Sequence, residues 1–277
     1  MKFYSKNYFI KKISYVVKQV LGIKTKFLLS RYSRFQSEFD RDYTLNSAIV
    51  NFHSRNKLHA YMHHYFYHNC PYYIQKHRKY FRAENRGFGE DALHSMWYLL
   101  FREIQPKHCL EIGVYRGQVI SLWALIAKEN GYNIEISGIS PFSSIGDSVS
   151  TYMRDIDYYE DVLASFKYFD LSPPNLVKAL STDKEAISYI SEQEWDLIYI
   201  DGSHDFETAL ADYQLCHKYL KVGGILILDD ASLWTDYIPL PFSFGGHPGP
   251  SKVAREYAEK EMRFIGAVGH NNIYKKL

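Results

Sequence analysis

The sequence predicts an α/β protein with a doubly wound, parallel sheet and a helical extension in front of it. Three observations lead there. From about residue 90 onward, short apolar runs alternate with segments of helical periodicity, the pattern of a parallel sheet covered on both faces. Three of those runs end in acids, Glu111, Asp201 and Asp229-Asp230. Carboxyl ends of parallel strands share one edge, where ligands bind. The first run, Cys109-Leu110-Glu111-Ile112, passes through Gly113-Val114-Tyr115-Arg116-Gly117 into a helical stretch from Gln118 to about Asn130. Glycine lets a backbone approach a ligand closely, and a helix start presents unpaired N–H groups.

That loop is not a dinucleotide fingerprint, because it reads Gly-x-x-x-Gly, and it lacks the Gly-Lys-Ser/Thr of a P-loop. Taken alone it is equally a structural strand-to-helix turn. Its weight comes from the motifs that follow.

The elements are justified in chain order. Phe9, Ile13, Val16, Val20, Ile23 and Phe27 form one stripe flanked by Lys11, Lys12, Lys18 and Lys26. This predicts a basic amphipathic helix over about 9–28, packed on the body or a second subunit, or laid on an anionic membrane. Residues 45–85 are rich in Tyr and His. The pairs His59/His63 and His64/His68 have a spacing that suits either aromatic packing or a helix-borne metal. Glu90 to Ile104 reads as a helix with Leu93, Met96, Trp97, Leu100 and Phe101 inward. Ile134 to Ser140 is the second strand, closed by Pro141. Residues 142–171 are rich in Ser, Asp and Tyr and contain a helix running to Phe169. They follow a strand's carboxyl end, so they are a substrate-side segment or a decorated surface helix.

Pro173-Pro174 breaks the chain before a third strand, Leu176 to Leu180. Ser181 or Thr182 caps the next helix, with Glu185 in capping-box spacing from Thr182. Trp195 to Ile200 is a buried strand ending in Asp201-Gly202-Ser203-His204. A helix follows over about 206–219, then the strand Ile225 to Leu228. A Pro/Gly-rich loop with His247 leads to Ser251, the expected cap of a last helix reaching Met262. Phe264–Val268 and Asn272–Lys276 form a closing hairpin across Gly269-His270-Asn271.

Composition bounds the function. The 277 residues suffice for one large domain with an extension, divided here into 1–85 and 86–277. Net charge is +2, yet nine lysines and arginines precede the first acid, Glu38, so the remainder is net negative. A basic arm on an acidic body argues against a nucleic-acid partner and for a local contact, including a peripheral membrane contact through 1–35. Three cysteines without a CxxC pair support neither a disulfide framework nor a zinc site. The expected setting is cytoplasmic, with no membrane-spanning run and no signal peptide.

Together the motifs are more telling than any one. Glu111-Ile-Gly-Val-Tyr-Arg-Gly117, then Tyr199-Ile-Asp-Gly-Ser-His204 with Glu207, then Gly223-Gly-Ile-Leu-Ile-Leu-Asp-Asp230 resemble the class I S-adenosylmethionine-dependent methyltransferases in order and separation. The likeness covers residues 88 to 277. It is nearest to small-molecule and sugar O-methyltransferases with Asp-Gly-x-His after the fourth strand. It implies a Rossmann-like, mostly parallel seven-stranded sheet with a reversed last strand. It implies S-adenosylmethionine held by Glu111, Gly113, Tyr115, Gly117, Ser140, Asp201 and His204. Relatives that act on sugars bind magnesium, and Asp201, Asp229 and Asp230 fall on those positions. The same aspartates can instead orient loops.

His204 or His247 is the candidate base, with Asp201 beside them, and His204 is equally a loop residue near the adenine. One departure stands out: Ser140 occupies the place of the acid that binds ribose hydroxyls, with Asp147 as a substitute. The expected reaction is methyl transfer to a hydroxyl of a sugar or other small polar acceptor. A relict fold serving as a scaffold through the basic arm is the alternative, and a homo-oligomer fits either.

Overall fold

The computed structural model describes residues 36–150, 152–240 and 243–277, together with Val20 and Ile23. The basic helix expected over about 9–28 and the membrane contact through 1–35 therefore lie outside the described residues, those two positions apart. Four helices come first: α1 (Gln36–Phe39), α2 (Leu45–Asn51), α3 (Arg55–His68) and α4 (Tyr72–Arg82). Next come α5 (Asp91–Ile104), β1 (His108–Ile112), α6 (Gln118–Glu129), β2 (Glu135–Ser140), α7 (Tyr158–Tyr168) and β3 (Asn175–Lys178). The chain continues through α8 (Lys184–Ser191), β4 (Trp195–Ile200), α9 (Phe206–Tyr219), β5 (Leu220–Leu228), α10 (Pro248–Val253), β6 (Arg263–Val268) and β7 (Asn271–Lys275).

The sheet has seven strands in the order β3-β2-β1-β4-β5-β7-β6. The first five are parallel, and β7 runs antiparallel between β5 and β6. The order reverses at β1 and β4, so their carboxyl ends flank the crevice where such sheets bind ligands.

Side chains alternate across the sheet because the strand period is two. Cys109, Leu197, Tyr199, Ile225 and Ile227 pack on one face with Trp97 and Trp123. Leu110, Ile112, Ile198, Ile200, Leu226 and Leu228 pack on the other with Ala186, Tyr213, Val253 and Ala258. The residues between 36 and 85 join the first core: Phe52, Tyr61 and Tyr65 are buried in the same cluster as Trp97 and Tyr199. The sequence boundary at 85 thus crosses a continuous core. Among the described residues no helix is long and apolar enough to cross a membrane.

Two expected caps are displaced. Ahead of α8, Asp183 takes the capping position instead of Ser181 or Thr182, and its carboxylate accepts from Leu180 N at 2.9 Å. Ser251 does not start the last helix, which begins at Pro248 after His247. Its hydroxyl donates to the Asp230 carbonyl at 3.0 Å and accepts from Leu233 N. Proline at the first helical position gives up a donor that would lack a partner anyway, which moves the start forward.

Candidate active site

The glycine turn after β1 is as tight as its spacing suggests. Gly113 has φ +97°, and a Cβ there would lie 1.9 Å from the Asp201 carbonyl oxygen. No other residue type fits such an approach. Gly117, at φ +80°, opens α6.

Two cavities meet at this turn. The larger, about 400 Å³, is walled by Phe88, Leu93, Trp97, Tyr115 and Phe244, with Glu90, Glu111, Arg116, Asp201, His204, Asp229, Asp230 and His270 as charged or titratable lining. The smaller, about 290 Å³, runs along the end of β2 past Ser140, Phe142, Asp147 and Tyr158. Gly113, Tyr115, Tyr152 and Asp201 line both. Alternation explains the acids: Glu111, Asp201 and Asp229 share the parity of Cys109, Leu197 and Ile227, so they leave the sheet on the α5 side.

Histidines organise the rim. His204 Nδ1 lies 2.6 Å from Asp147 Oδ2, and its Nε2 lies 2.9 Å from Asp230 Oδ2. Burial works against the ring's charge, but the hydrogen bonds to Asp230 and Asp147 outweigh it and raise its pKa to about 9. His270 Nε2 lies 3.2 Å from Asp229 Oδ1, while its Nδ1 faces the Phe244 carbonyl at 3.1 Å. Burial again opposes the charge, and Asp229 overcomes it, raising His270 to about 10. Asp229 is in turn held below the usual carboxylate range: burial pushes it up, and His270 more than reverses this.

The wall behaves differently. Glu111 is buried, and its Oε2 has no hydrogen-bond partner. Burial pushes its carboxyl up to about 8, against a backbone N–H from Ile120 that lowers it. Asp201 is raised by burial and by the charge of Asp229, with which it shares a hydrogen bond. His94, also on the wall, donates to or accepts from His77 at 3.4 Å, and burial drives it down to about 3.

The structure gathers most of the residues singled out from sequence. Glu111, Gly113, Tyr115, Asp201, His204, Asp229 and Asp230 all line the larger cavity, and Ser140 lines the smaller. Gly117 lines neither and stands at the helix start. His247 also lines neither. It sits behind His204, with ring centroids 4.1 Å apart and Nε2 3.9 Å from Asp230. Both nitrogens of His204 face carboxylates. Asp147 is not free to replace the missing ribose acid. Its carboxylate accepts from Val149 N, Ser150 N, His204 N and His204 Nδ1.

The helical histidine pairs hold no metal geometry. His59 is bonded to Glu90 at 2.8 Å, and His64 to Asp40 at 3.0 Å while its ring stacks on His68. Sequence reading missed His270, Glu90 and Phe244. His270 had a signal: β7 pairs antiparallel with β5, Asn272 opposite Leu228, so the hairpin tip must abut Asp229-Asp230.

Residues 110–231 match the model of a family described as a methyltransferase domain. The structure of the methyltransferase PaMTH1 from Podospora anserina, solved with S-adenosylhomocysteine, superimposes with a TM-score of 0.54, at 16% identity over 75% of this chain and 89% of that one. Residues 110–231 thus resemble a methyltransferase domain in sequence, and the chain shares the fold of the solved methyltransferase. A second solved structure, the O-methyltransferase NovP, aligns with a TM-score of 0.50 at 16% identity, covering 65% of this chain and 78% of its own. Among curated proteins, the uncharacterized protein R132 of Acanthamoeba polyphaga mimivirus is 26% identical over 172 residues, 58% of this chain and 68% of that protein. At such identity the structural likenesses establish the fold alone, and the chemistry has to be argued from the site.

Proposed function

We propose that the chain transfers the methyl group of S-adenosylmethionine to a hydroxyl of a small polar acceptor, a sugar or glycan precursor. The observation that carries this is the pair of cavities joined at Gly113, Tyr115, Tyr152 and Asp201. The smaller suits a nucleoside, between Phe142 and the β2 end. The larger suits the methionine part and the acceptor together. Buried acceptor atoms without partners mark the cationic end: Glu111 Oε2 and Gln118 Oε1 both lie on the larger cavity. Orphaned acceptors are costly, and an ammonium group would satisfy them. Gly87 and Gly89 leave the space that the Gln118 side chain occupies, since a Cβ at Gly87 would lie 1.5 Å from Gln118 Oε1.

When bound, the cofactor supplies an electrophilic methyl group. The protein's part is to position and to take a proton. An attacking hydroxyl becomes strongly acidic as its new O–C bond forms, so a carboxylate is a sufficient base. Asp201, which lines both cavities, and Asp229, which lines the larger, share a hydrogen bond, with Asp229 the ionised member of the pair. We assign it the proton, and we assign His204 the task of fixing Asp230 and the 147–150 loop. Aromatic faces at Tyr115, Tyr152, Trp97 and Phe244 beside a charged rim suit a hydroxyl-bearing ring.

Magnesium does not fit this rim as built. It takes hard oxygen donors and keeps its waters. Here imidazole nitrogens face both Asp229 and Asp230, and no step is drawn through a magnesium ion.

The reading is tested by calorimetry of the full chain with S-adenosylhomocysteine. Stoichiometric binding that Gly113→Ala abolishes supports it. Absence of heat with a folded chain leaves only an α/β shell.

A further inference from the structure

We propose that Glu90 is the acceptor-recognising carboxylate of the larger cavity, that it binds the hydroxyl next to the one being methylated, and that His59 of α3 is the positioning residue that aims it. The acceptor is then a ring with two neighbouring hydroxyls. This rests on the methyl-transfer reading and deepens it.

Position comes first. Glu90, Leu93, His94 and Trp97 all line the larger cavity. Their spacings of three, four and seven place them on one face of a helix. Leu93 and Trp97 are apolar and burial keeps His94 neutral, so Glu90 is the charged group on that face. It holds the capping position of α5, yet its side chain makes no capping bond. Instead its Oε2 accepts from His59 Nε2 at 2.8 Å. That imidazole is itself only 3% exposed. Tyr237 packs against it with ring centroids 5.8 Å apart, and the hairpin tip closes on it, since a Cβ at Gly269 would lie 3.4 Å from His59 Cδ2. The 36–85 helices thus fix a carboxylate at the cavity.

The carboxylate has capacity left. Burial pushes Glu90 up, but His59, then His270 and Ser243, more than reverse this and hold it below the usual range. An ionised carboxylate offers about four lone-pair sites. His59 and Ser243 take one each. His270 Nδ1 is 3.9 Å from Oε1, beyond a hydrogen bond, and donates to the Phe244 carbonyl instead.

The second observation is the bridge to the reacting end. The other nitrogen of His270, Nε2, lies 3.2 Å from Asp229 Oδ1. Glu90 and Asp229 therefore stand one imidazole ring apart. Two neighbouring hydroxyls of one ring, each in a hydrogen bond of about 2.8 Å, span a gap of that kind. The hydroxyl at Asp229 attacks the methyl group, and the one at Glu90 decides which hydroxyl that is. Phe88 and Phe244 line the same cavity and are 76% and 46% exposed, so they offer faces for the C–H side of such a ring.

The test keeps the two readings apart. Calorimetry of the full chain with S-adenosylhomocysteine decides methyl transfer. Methyl α-D-mannopyranoside, whose ring hydroxyls stand side by side, is titrated into the chain with and without S-adenosylhomocysteine and followed by saturation-transfer NMR, so Glu90 is read even where the cofactor product does not bind. The mannoside should bind, and one of its 2-, 3- and 4-deoxy forms should bind about tenfold more weakly. Glu90→Gln should weaken the parent mannoside by a similar factor, with no further loss for that deoxy form, and should leave affinity for S-adenosylhomocysteine unchanged. His59→Gln should reproduce the loss, with circular dichroism confirming that both variants are folded. No binding of the mannoside to the folded wild type, equal binding by wild type and Glu90→Gln, or a loss in the variant that every deoxy form suffers again would overturn the proposal.

Discussion

Buried acids fall into two groups that obey opposite rules. On the rim, Asp147 accepts from the backbone N–H groups of His204, Val149 and Ser150 and then from the His204 ring, Asp229 faces His270, and both stay below the usual carboxylate range. On the wall and beneath it, Glu111 and Asp212 have no cation in reach. Burial pushes Glu111 up to about 8, and it pushes Asp212 up to about 6 although Ser181 bonds to it. The residue types are alike, and the partner decides the charge. A rim assembled with its own cations stays ionised without help. A wall without them is neutral until something positive arrives.

The largest expected break of this contrast is Asp229→Asn. It leaves the His270 ring, only 12% exposed, facing an amide. Removing one partner of an enclosed pair costs more than the pair contributes, here about 3 kcal/mol. Urea unfolding of the metal-free variant at pH 7 measures it. A loss under about 1 kcal/mol would mean that His270 does not depend on its aspartate for charge.

Asp212→Asn should act in the opposite direction. Asp212 is 3% exposed, with its Oδ2 unpartnered. Its folded pKa of about 6 lies above the ordinary 3.8. The folded state therefore binds the proton more tightly, and stability is lost as pH rises from about 4 through 6. The accumulated penalty reaches about 3 kcal/mol above pH 6.5. The asparagine variant should gain up to that amount there and nothing below pH 4, as read by melting temperature across pH. A variant that is less stable at pH 8 would show that the carboxylate is stabilised by a group absent from this contrast.

How much of this was legible in the sequence follows from the same division. Strand ends announce themselves, because apolar runs must stop and an acid next to Ile112, Ile200 or Leu228 marks the place. The parallel pattern then puts Glu111, Asp201 and Asp229 on one edge, and the register of β1, β4 and β5 brings them to one face. What stayed hidden depends on long-range pairing. His270 reads as a turn residue until β7 is laid against β5, and Asp147 reads as a loose loop acid until the 147–150 segment folds back on His204. The roles of the histidines were hidden for the same reason. A ring between two carboxylates cannot be seen in one stretch of chain.

Glu111 sharpens the wall side. A ligand bearing an ammonium group pulls its pKa down, so binding releases a proton. Affinity for S-adenosylhomocysteine should rise with pH up to about 8 and then level. Glu111→Gln should bind about tenfold more weakly at pH 8, and its affinity should be flat with pH. Calorimetry at pH 6, 7 and 8 reads both. A wild-type profile as flat as the variant's would move the cationic end of the ligand elsewhere.

The smallest effect is expected at the other cavity, and it has the sign of a gain. Ser140 ends β2 and lines the space that suits a nucleoside. Its hydroxyl is 3.5 Å from Phe142 N, a weak contact that leaves it free to bond a ligand. Asp147 cannot serve instead, because four donors already hold it. Ser140→Asp therefore adds an acid with no cation of its own, open to the cavity rather than buried like Glu111, so it should ionise at pH 7 with little cost in stability. Two hydroxyls donating to a carboxylate rather than to a serine oxygen are worth roughly 1 kcal/mol net. S-adenosylhomocysteine should bind three- to tenfold more tightly, while adenine alone, lacking the ribose, should bind unchanged. A gain for both would trace the effect to charge in general, and a gain for neither would place the ribose away from the end of β2.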